Sequence, residues 1–236
     1  MAVSVNKLKA IKKIFYPRHF DDVWFSVLEN LVKSSDDVLE IGSGSGTGDQ
    51  NTLYPKVKYL TGIDLDERVH KNPFLDEGYV LSVGDLSQKF EKDSFDLIYS
   101  HMVAEHIENA DEFIEQQMAI LRMGGIALHS TVSKYYLTSI LNLFIPNQIK
   151  YFLIARLGSG RKEQDIFPAY YNLNDKLTIR RLAKKYDLTV EFFQYDEPPG
   201  YLRKSYILMI LYVLLHKPMQ YLFPSLRPTF IFILRK

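Results

Sequence analysis

Cysteine is absent from this chain of 236 residues, and so is any large excess of charge. Without cysteine the protein can form no disulfide framework, no thiolate metal site and no cysteine nucleophile, and we assign no metal ligands. Its 29 lysines and arginines stand against 28 acids, which leaves a formal net charge of +1. That balance gives no global attraction to nucleic acid, so we do not expect a nucleic-acid partner.

Long uninterrupted apolar segments are also missing. The first residues include lysines but no apolar run of signal-peptide length, so we expect a cytoplasmic location. The apolar run at residues 206–215 is too short for a membrane-spanning helix, which needs about twenty residues. With 47% hydrophobic content, the chain can bury the core of one α/β domain with insertions. We therefore predict a single domain over residues 1–236.

A glycine-rich turn follows a short apolar strand. Val38, Leu39 and Ile41 are residue types of a buried parallel strand, and glycines occupy every second position from 42 to 48. Glycines let the backbone turn sharply and approach a ligand with no Cβ in the way. A ligand is therefore expected to lie against this loop. The alternative is that the glycines serve only as a tight turn from strand to helix.

The glycine spacing differs from that of a dinucleotide site. A Rossmann NAD fingerprint needs G-x-G-x-x-G, but the sixth position is Thr47 when counted from Gly42 and Asp49 when counted from Gly44. The sequence instead reads Glu40-x-Gly42-x-Gly44-x-Gly46, with an acid two residues before the first glycine. This pattern resembles the first motif of the class I S-adenosylmethionine-dependent methyltransferases.

Asp64 ends the second predicted strand, residues 57–63. It lies 24 residues beyond Glu40, which suits an acid at the tip of the neighbouring strand in a right-handed βαβ unit. A carboxylate there can accept hydrogen bonds from both hydroxyls of a ribose. Because Asp66 is well placed to cap the following helix, Asp64 is left for the ligand.

Further motifs follow in the order that the resemblance implies. In the resembled family an acid after the third strand bonds the adenine amino group, and the next N–H meets a ring nitrogen. Asp85 and Leu86 take these places after the strand predicted at residues 79–83. The fourth and fifth strands are predicted at 93–100 and 126–130. The resemblance thus implies S-adenosyl-L-methionine as cofactor, bound by Glu40, Gly42, Ser43, Gly44, Gly46, Asp64, Leu65, Asp85, Leu86 and Ser100.

The resemblance also implies an α/β fold. We expect a doubly wound, mostly parallel seven-stranded sheet in the order 3-2-1-4-5-7-6, with helical insertions after strand 5 and between strands 6 and 7. Helix-length connections between the strands require parallel pairing. The predicted segments are N-terminal helices at 1–34, a cofactor-binding core at 35–132, a lid insertion on the acceptor side at 133–170, and the end of the sheet at 171–236 with a hydrophobic insertion at 198–226.

The cofactor implied by the resemblance determines what the protein must supply. A sulfonium methyl is already electrophilic, so the enzyme has to align an acceptor lone pair and exclude water. A hydroxyl acceptor also needs a general base. Among the titratable residues near the ends of strands 4 and 5, we choose His101 as that base. We expect Glu105 and His106 to stabilise the first helical turn, and His129 to be a satisfied buried histidine.

We therefore predict methylation, on oxygen, of a small or amphipathic acceptor such as a sugar, a lipid-linked intermediate or a quinone-like molecule. Two alternatives come from other classes of protein. One is a nucleotide-binding oxidoreductase of Rossmann type. The other is a methyltransferase-like scaffold without catalysis, in which the hydrophobic insertions mediate assembly or membrane attachment.

Two segments predict contacts outside the cofactor site. Residues 7–15 are typical of a short basic amphipathic helix, which can lie on an anionic membrane surface or pack on the domain with its lysines solvated. Residues 201–223 would form buried helices, a homodimer face or an interfacial membrane patch. We predict that most of this segment packs on the sheet edge and on the insertion at 133–170 to wall the acceptor pocket, with a minority of aromatics exposed and a peripheral membrane contact.

Overall fold

A computed structural model describes residues 10–46, 53–136, 139–140, 168–198 and 205–236. Several predicted features lie outside these described residues. They are the last positions of the glycine loop, most of the predicted lid insertion at 133–170, the start of the basic N-terminal helix and the start of the hydrophobic insertion at 198–226.

One sheet of seven strands organises the chain. Its hydrogen-bonded order is β3-β2-β1-β4-β5-β7-β6, which confirms the predicted order. The strand β1 pairs in parallel with both β2 and β4, β2 with β3, and β4 with β5. The strands are β1 (Asp37–Ile41), β2 (Tyr59–Asp64), β3 (Glu77–Val80), β4 (Phe95–His101), β5 (Leu121–Val132), β6 (Thr189–Tyr195) and β7 (Thr229–Arg235).

The last strand runs against its neighbour. Lys236, just after β7, donates its N–H to the carbonyl of Gly125 at 3.2 Å and accepts from the N–H of Gly124 at 3.0 Å. The end of β7 therefore meets the beginning of β5, so that the two strands are antiparallel.

The central strand is buried on both faces. Val38 and Leu39 are fully inaccessible, and Ile41 nearly so. In register, Leu39 lies between Thr61 of β2 and Ile98 of β4. A parallel strand covered on both sides needs apolar residues at successive positions, which explains the adjacent Val38 and Leu39. The carboxyl end of β1 consequently lies at the middle of the sheet.

Six helices are described. They are α1 (residues 10–15), α2 (Phe20–Leu31), α3 (Leu86–Lys89), α4 (Ala110–Ile120), α5 (Lys176–Lys185) and α6 (Tyr206–Leu222). Asp175 caps α5, because its side chain accepts from the N–H of Thr178 at 2.9 Å. Helix α2 begins at Phe20, so Asp21 and Asp22 lie in its first turn, where the helix dipole favours acids.

The boundaries of β3 and β5 differ from prediction. β3 ends at Val80, after which Ser82 caps a short 3-10 turn that leads to Asp85. β5 begins at Leu121 rather than 126, because residues 122–125 form a bulge inside the strand. Arg122 in this bulge donates to Asp37 at 3.2 Å, and also to Asp96. These bonds tie the amino ends of β1, β4 and β5 together.

The chain divides into two compact units. The core unit comprises Trp24–Thr131, Tyr170–Phe193 and Ile231–Lys236, and the second unit comprises Met1–Val23, Val132–Ala169 and Gln194–Phe230. The predicted organisation as a single domain stays a prediction.

In the second unit, the two predicted insertions touch. The hydroxyl of Tyr136, after β5, lies 3.4 Å from that of Tyr212 on α6. Tyr136 also meets the ring of His216 edge-on at a centroid distance of 5.8 Å. The prediction that most of residues 201–223 are buried is wrong for the described part, because most apolar residues of α6 are exposed. Among the described residues, no helix combines the length and apolarity that crossing a membrane requires.

Candidate functional site

A loop of glycines leaves the carboxyl end of β1. Gly42, Gly44 and Gly46 have φ values of 79°, 52° and 68°, in the left-handed region that other residues rarely adopt. A Cβ on Gly42 would in addition overlap Cγ2 of Val103. The need for glycine at these positions is confirmed. The predicted contacts of Gly42, Ser43, Gly44 and Gly46 with the cofactor stay predictions.

The end of β2 holds this loop in place. The N–H groups of Gly42 and Ser43 donate to the carbonyl of Ile63 at 2.8 and 3.1 Å. The hydroxyl of Ser43 donates to the same carbonyl at 3.2 Å. The N–H of Gly44 donates to Oδ2 of Asp64 at 2.8 Å. The loop and the end of β2 therefore form one hydrogen-bonded structure.

Asp64 lies where the sequence predicts it, at the carboxyl end of β2. Its Oδ1 accepts from the N–H of Asp66 at 2.9 Å, while its Oδ2 accepts from Gly44. An ionised carboxylate offers about four acceptor positions, so about two remain for ligand hydroxyls. Asp66 caps the following 3-10 turn by accepting from the N–H of Arg68 at 2.8 Å, as predicted. The donor and acceptor chemistry of this edge fits a ribose.

Asn72 is a support that sequence reasoning missed. Its Nδ2 donates to the carbonyl of Ser43 at 2.9 Å, and its Oδ1 accepts from the N–H of Phe74 at 3.0 Å. This buried amide thus also holds the glycine loop in place. The only sequence signal is the Asn-Pro dipeptide, which marks a turn but does not indicate a partner 29 residues away.

The other predicted cofactor residues lie at the same edge of the sheet. Glu40 is half-buried on β1, in register with Gly62 and Tyr99. Leu65 is exposed just after β2. Asp85 is exposed and its Oδ1 accepts from Nε2 of Gln88 at 3.0 Å, whereas the side chain of Leu86 is fully buried. Burial of Leu86 leaves its backbone as the part that could meet a ligand. These contacts also stay predictions.

Ser100 lies on β4 beside Ile41 in register. Its hydroxyl hydrogen-bonds with Nδ1 of His129 at 2.7 Å, and both residues are fully buried. The imidazole packs against Phe113 and Phe232 at centroid distances of 5.1 and 5.0 Å. Burial lowers the pKa of His129 to about 3, so the ring is neutral. His129 is therefore a structural histidine bonded at Nδ1. The expectation that it is fully satisfied is wrong, because its buried Nε2 has no hydrogen-bond partner among the described residues. The predicted contact of Ser100 with the cofactor stays a prediction.

We expect His129 to destabilise the fold as the pH falls. Its pKa is about 3 in the fold and near 6.5 when exposed, so unfolding takes up a proton between these values. The free energy of unfolding should decrease as the pH is lowered through this window, by up to about 1.4 kcal/mol per pH unit. Denaturant titrations at several pH values measure the slope. In His129→Gln the titrating group is gone and the slope should be shallower by that amount; identical slopes would refute the assignment.

His101 ends β4 and has a fixed orientation. Its ring stacks on Trp24 at a centroid distance of 5.2 Å, and its Nδ1 hydrogen-bonds with the hydroxyl of Ser130 at 2.7 Å. The same hydroxyl accepts from the N–H of Met102 at 3.2 Å. Trp24 is buried, so the imidazole stacks on a residue of the core. His101 is thus a half-buried imidazole held at a strand end near the glycine loop.

Glu105 does more than the sequence predicts. Its Oε2 accepts from the hydroxyl of Thr131 at 2.9 Å, and Nδ2 of Asn174 donates to that hydroxyl at 2.7 Å. Its carbonyl accepts from the N–H groups of Tyr170 and Tyr171 at 2.8 and 3.2 Å. Burial raises the pKa of the Glu105 carboxyl. Glu105 and His106 occupy a short 3-10 turn, where a helix was expected, and Glu105 joins that turn to the segment before α5.

Within the part of the chain that the structure describes, no group of three or more His, Cys, Asp or Glu side chains could hold a metal ion. The site is therefore described by its glycine loop, its strand-end acids and one oriented imidazole.

Comparison with protein families gives one match over most of the chain. A family model described as a methyltransferase domain matches residues 16–191. This range includes every predicted cofactor residue and His101. Among curated protein sequences, none matches this chain.

Solved structures share the fold at low sequence identity. An S-adenosylmethionine-dependent methyltransferase from Archaeoglobus fulgidus is 12% identical with a TM-score of 0.58, covering 95% of this chain and 97% of that one. Phosphoethanolamine N-methyltransferase 2 from Haemonchus contortus is 17% identical with a TM-score of 0.56, covering 99% of this chain and 57% of that one. The [4+2]-cyclase SpnF is 11% identical with a TM-score of 0.57, covering 91% of this chain and 81% of that one.

Proposed function

The chain belongs to the class I S-adenosylmethionine-dependent methyltransferases, and from that premise we propose that it methylates an oxygen atom of a small or amphipathic acceptor. S-adenosyl-L-methionine supplies a methyl group already activated on a sulfonium. The observation that carries the proposal is the hydrogen-bonded pairing of the glycine loop with Asp64. The oxidoreductase alternative has no support in the family match.

The residues of the core unit fit the cofactor. Asp64 would accept from the ribose hydroxyls through the acceptor positions that Gly44 and Asp66 leave open. The glycine loop would admit the amino acid part, because it carries no Cβ at three positions. Asp85 and the backbone of Leu86 would contact the adenine. Each of these roles is a separate expectation that substitution can test.

His101 would act on the acceptor. With Nδ1 engaged by Ser130 and the ring stacked on Trp24, the imidazole is held in one orientation. In the tautomer whose Nδ1–H donates to the Ser130 hydroxyl, Nε2 carries no proton and would take the one from an acceptor hydroxyl as the oxygen gains its methyl group. This role requires a hydroxyl acceptor, and it is the reason for proposing transfer to oxygen.

The acceptor class rests on the composition of the two predicted insertions, 133–170 and 198–226, which are rich in aromatic and aliphatic residues. Such a composition suits a molecule with both polar and apolar parts, such as a sugar, a lipid-linked intermediate or a quinone-like compound. The Haemonchus neighbour is named for an amine acceptor, but at 17% identity it shares only the fold.

Replacement of Asp64 by alanine tests the cofactor site directly. We expect the affinity for S-adenosylhomocysteine to fall by about 1.5–3 kcal/mol, because hydrogen bonds to a charged acceptor are lost. Calorimetric titration measures the change. The matched control is Asp66→Ala, which removes a neighbouring carboxylate that caps a turn. Wild-type affinity in Asp64→Ala, or an equal loss in both variants, would contradict the assignment.

Activity itself needs an acceptor screen. Extracts incubated with methyl-labelled cofactor and the purified chain should yield a labelled small or amphipathic product that is absent without the protein. Binding of S-adenosylhomocysteine without any transfer would instead favour the non-catalytic scaffold. The screen is needed because a fold shared with a protein named as a cyclase does not by itself establish the reaction.

A further inference from the structure

Helix α6 is apolar on its exposed face as well as on its buried one. Its exposed positions carry aliphatic residues at helical spacing, among them Leu208, Leu211, Leu215 and Leu222, of which the last two are 65% and 69% exposed. Gln220, by contrast, is buried on the opposite side. A surface helix of a globular protein ordinarily buries its apolar stripe and turns its polar residues to water. The outer face of α6 is therefore suited to an apolar environment outside the protein.

Helix α1 lies beside α6 in the second unit. Ile11 packs against a buried cluster of Tyr16, Met209, Tyr212 and Val213, which joins the two helices. Outside this contact, Ile14 is 70% exposed and Phe15 is also exposed. We call the exposed apolar residues of the two helices the α1–α6 surface. An exposed apolar surface of this extent marks a place of interaction.

The unit that contains this surface is positively charged. Its segments 1–23, 132–169 and 194–230 carry fourteen lysines and arginines against six acids, and the core unit carries fifteen against twenty-two. One of the six acids, Asp196, pairs with Lys217 of α6 at 2.7 Å. A chain that is almost neutral as a whole thus concentrates its positive charge in the second unit. Lys12 and Lys13 of α1 belong to this unit, and Lys13 is exposed.

We propose that the α1–α6 surface binds the face of an anionic lipid bilayer. The aliphatic side chains would enter the boundary between headgroups and acyl chains, and Lys12 and Lys13 of α1 would meet the lipid phosphates. With 17 residues, α6 is shorter than the roughly twenty needed to span, so it would lie in the plane of the membrane. A second copy of the chain is a poorer occupant, because it would bring two positively charged units together.

Vesicle co-sedimentation of the full chain tests the proposal. We expect the protein to pellet with vesicles of phosphatidylcholine containing about one third phosphatidylglycerol, and to remain in the supernatant with phosphatidylcholine alone. Binding should weaken at about 0.5 M NaCl, where charges are screened over a few ångströms. Indifference to both anionic lipid and salt would overturn the proposal.

Two pairs of variants separate the contributions. Leu211→Glu with Leu215→Glu should lower vesicle affinity about tenfold or more, whereas Leu177→Glu, at a residue that is 71% exposed on α5, should not. Lys12→Glu with Lys13→Glu should also lower affinity about tenfold, and the equal charge change Arg181→Glu with Lys184→Glu on α5 should have less effect. Retained binding of S-adenosylhomocysteine shows that each variant is folded. Vesicle affinity unchanged in both test pairs would refute the proposal.

Light scattering on the same samples identifies the competing occupant. A monomer without vesicles is the expected result. The contrary result is a protein that does not bind vesicles and forms a dimer, which Leu211→Glu with Leu215→Glu dissociates. That result would assign the surface to a second copy and overturn the proposal. Because none of these readouts depends on methyl transfer, the membrane proposal and the proposed function can fail separately.

Discussion

His101→Gln should lower the rate of methyl transfer to a hydroxyl acceptor by about 10²–10⁴-fold, the range for loss of a general base. Glutamine keeps a polar side chain but cannot take the proton. Cofactor affinity should be unchanged, because His101 is not a predicted cofactor residue and its ring contacts Ser130 and Trp24. Single-turnover transfer from labelled cofactor, with the product found in the screen, measures the rate.

Two variants control this experiment. His106→Gln changes the same residue type five positions away and should leave the rate within a few fold. Ser130→Ala removes the partner of Nδ1 and should lower the rate less than His101→Gln, because the stacking on Trp24 remains. A wild-type rate in His101→Gln would mean that the acceptor needs no base from this residue.

The sheet could be predicted because its strands are buried on both faces. Segments dominated by apolar residues, such as Val38, Leu39 and Ile41, are typical of such strands, and the long connections between them require parallel neighbours. The end of β3 and the beginning of β5 could not be predicted in the same way. The bulge at residues 122–125 depends on which residues of β4 it faces, and that pairing is not encoded in a local pattern.

The acids of the site were predictable because each follows a recognisable strand. Asp64 ends β2 and Asp66 caps the next turn, and both positions follow from chain order alone. Asn72 and Glu105 were not predictable as supports. Their partners, Ser43 and Thr131, lie 29 and 26 residues away and become neighbours only when the chain is folded. Local propensity carries no information on contacts of that range.

The exposure of α6 also escaped sequence reasoning. Its 17 residues are apolar on nearly every side, so their periodicity does not reveal which stripe is buried. The structure buries Met209, Tyr212, Val213 and Gln220, and leaves the leucines outside. An apolar helix was therefore assigned to a pocket wall, although its broad face meets solvent in the described residues.

Gly42→Ala should reduce both the stability of the chain and its affinity for S-adenosylhomocysteine. Alanine at a φ of 79° costs about 1–2 kcal/mol from the left-handed backbone alone. Its Cβ would also overlap Cγ2 of Val103, and overpacking of this kind adds about 1–3 kcal/mol. The side chain of Val103 cannot easily rotate away from the new Cβ, because branching at its own Cβ limits it to few rotamers. Denaturant unfolding and calorimetric titration measure the two losses.

A second glycine separates strain from overlap. Gly124 has a φ of 78°, and a Cβ added there meets nothing within 4 Å, so Gly124→Ala should show only the backbone cost. The double variant Gly42→Ala with Val103→Ala should regain the stability that the overlap costs, because it lacks the methyl group that the new Cβ would strike. Only the backbone strain at position 42 would then remain. The double variant should therefore be less stable than Val103→Ala by the same amount that Gly124→Ala is less stable than the wild type. If Gly42→Ala costs no more than Gly124→Ala, the close approach of the loop to Val103 does not contribute to the site.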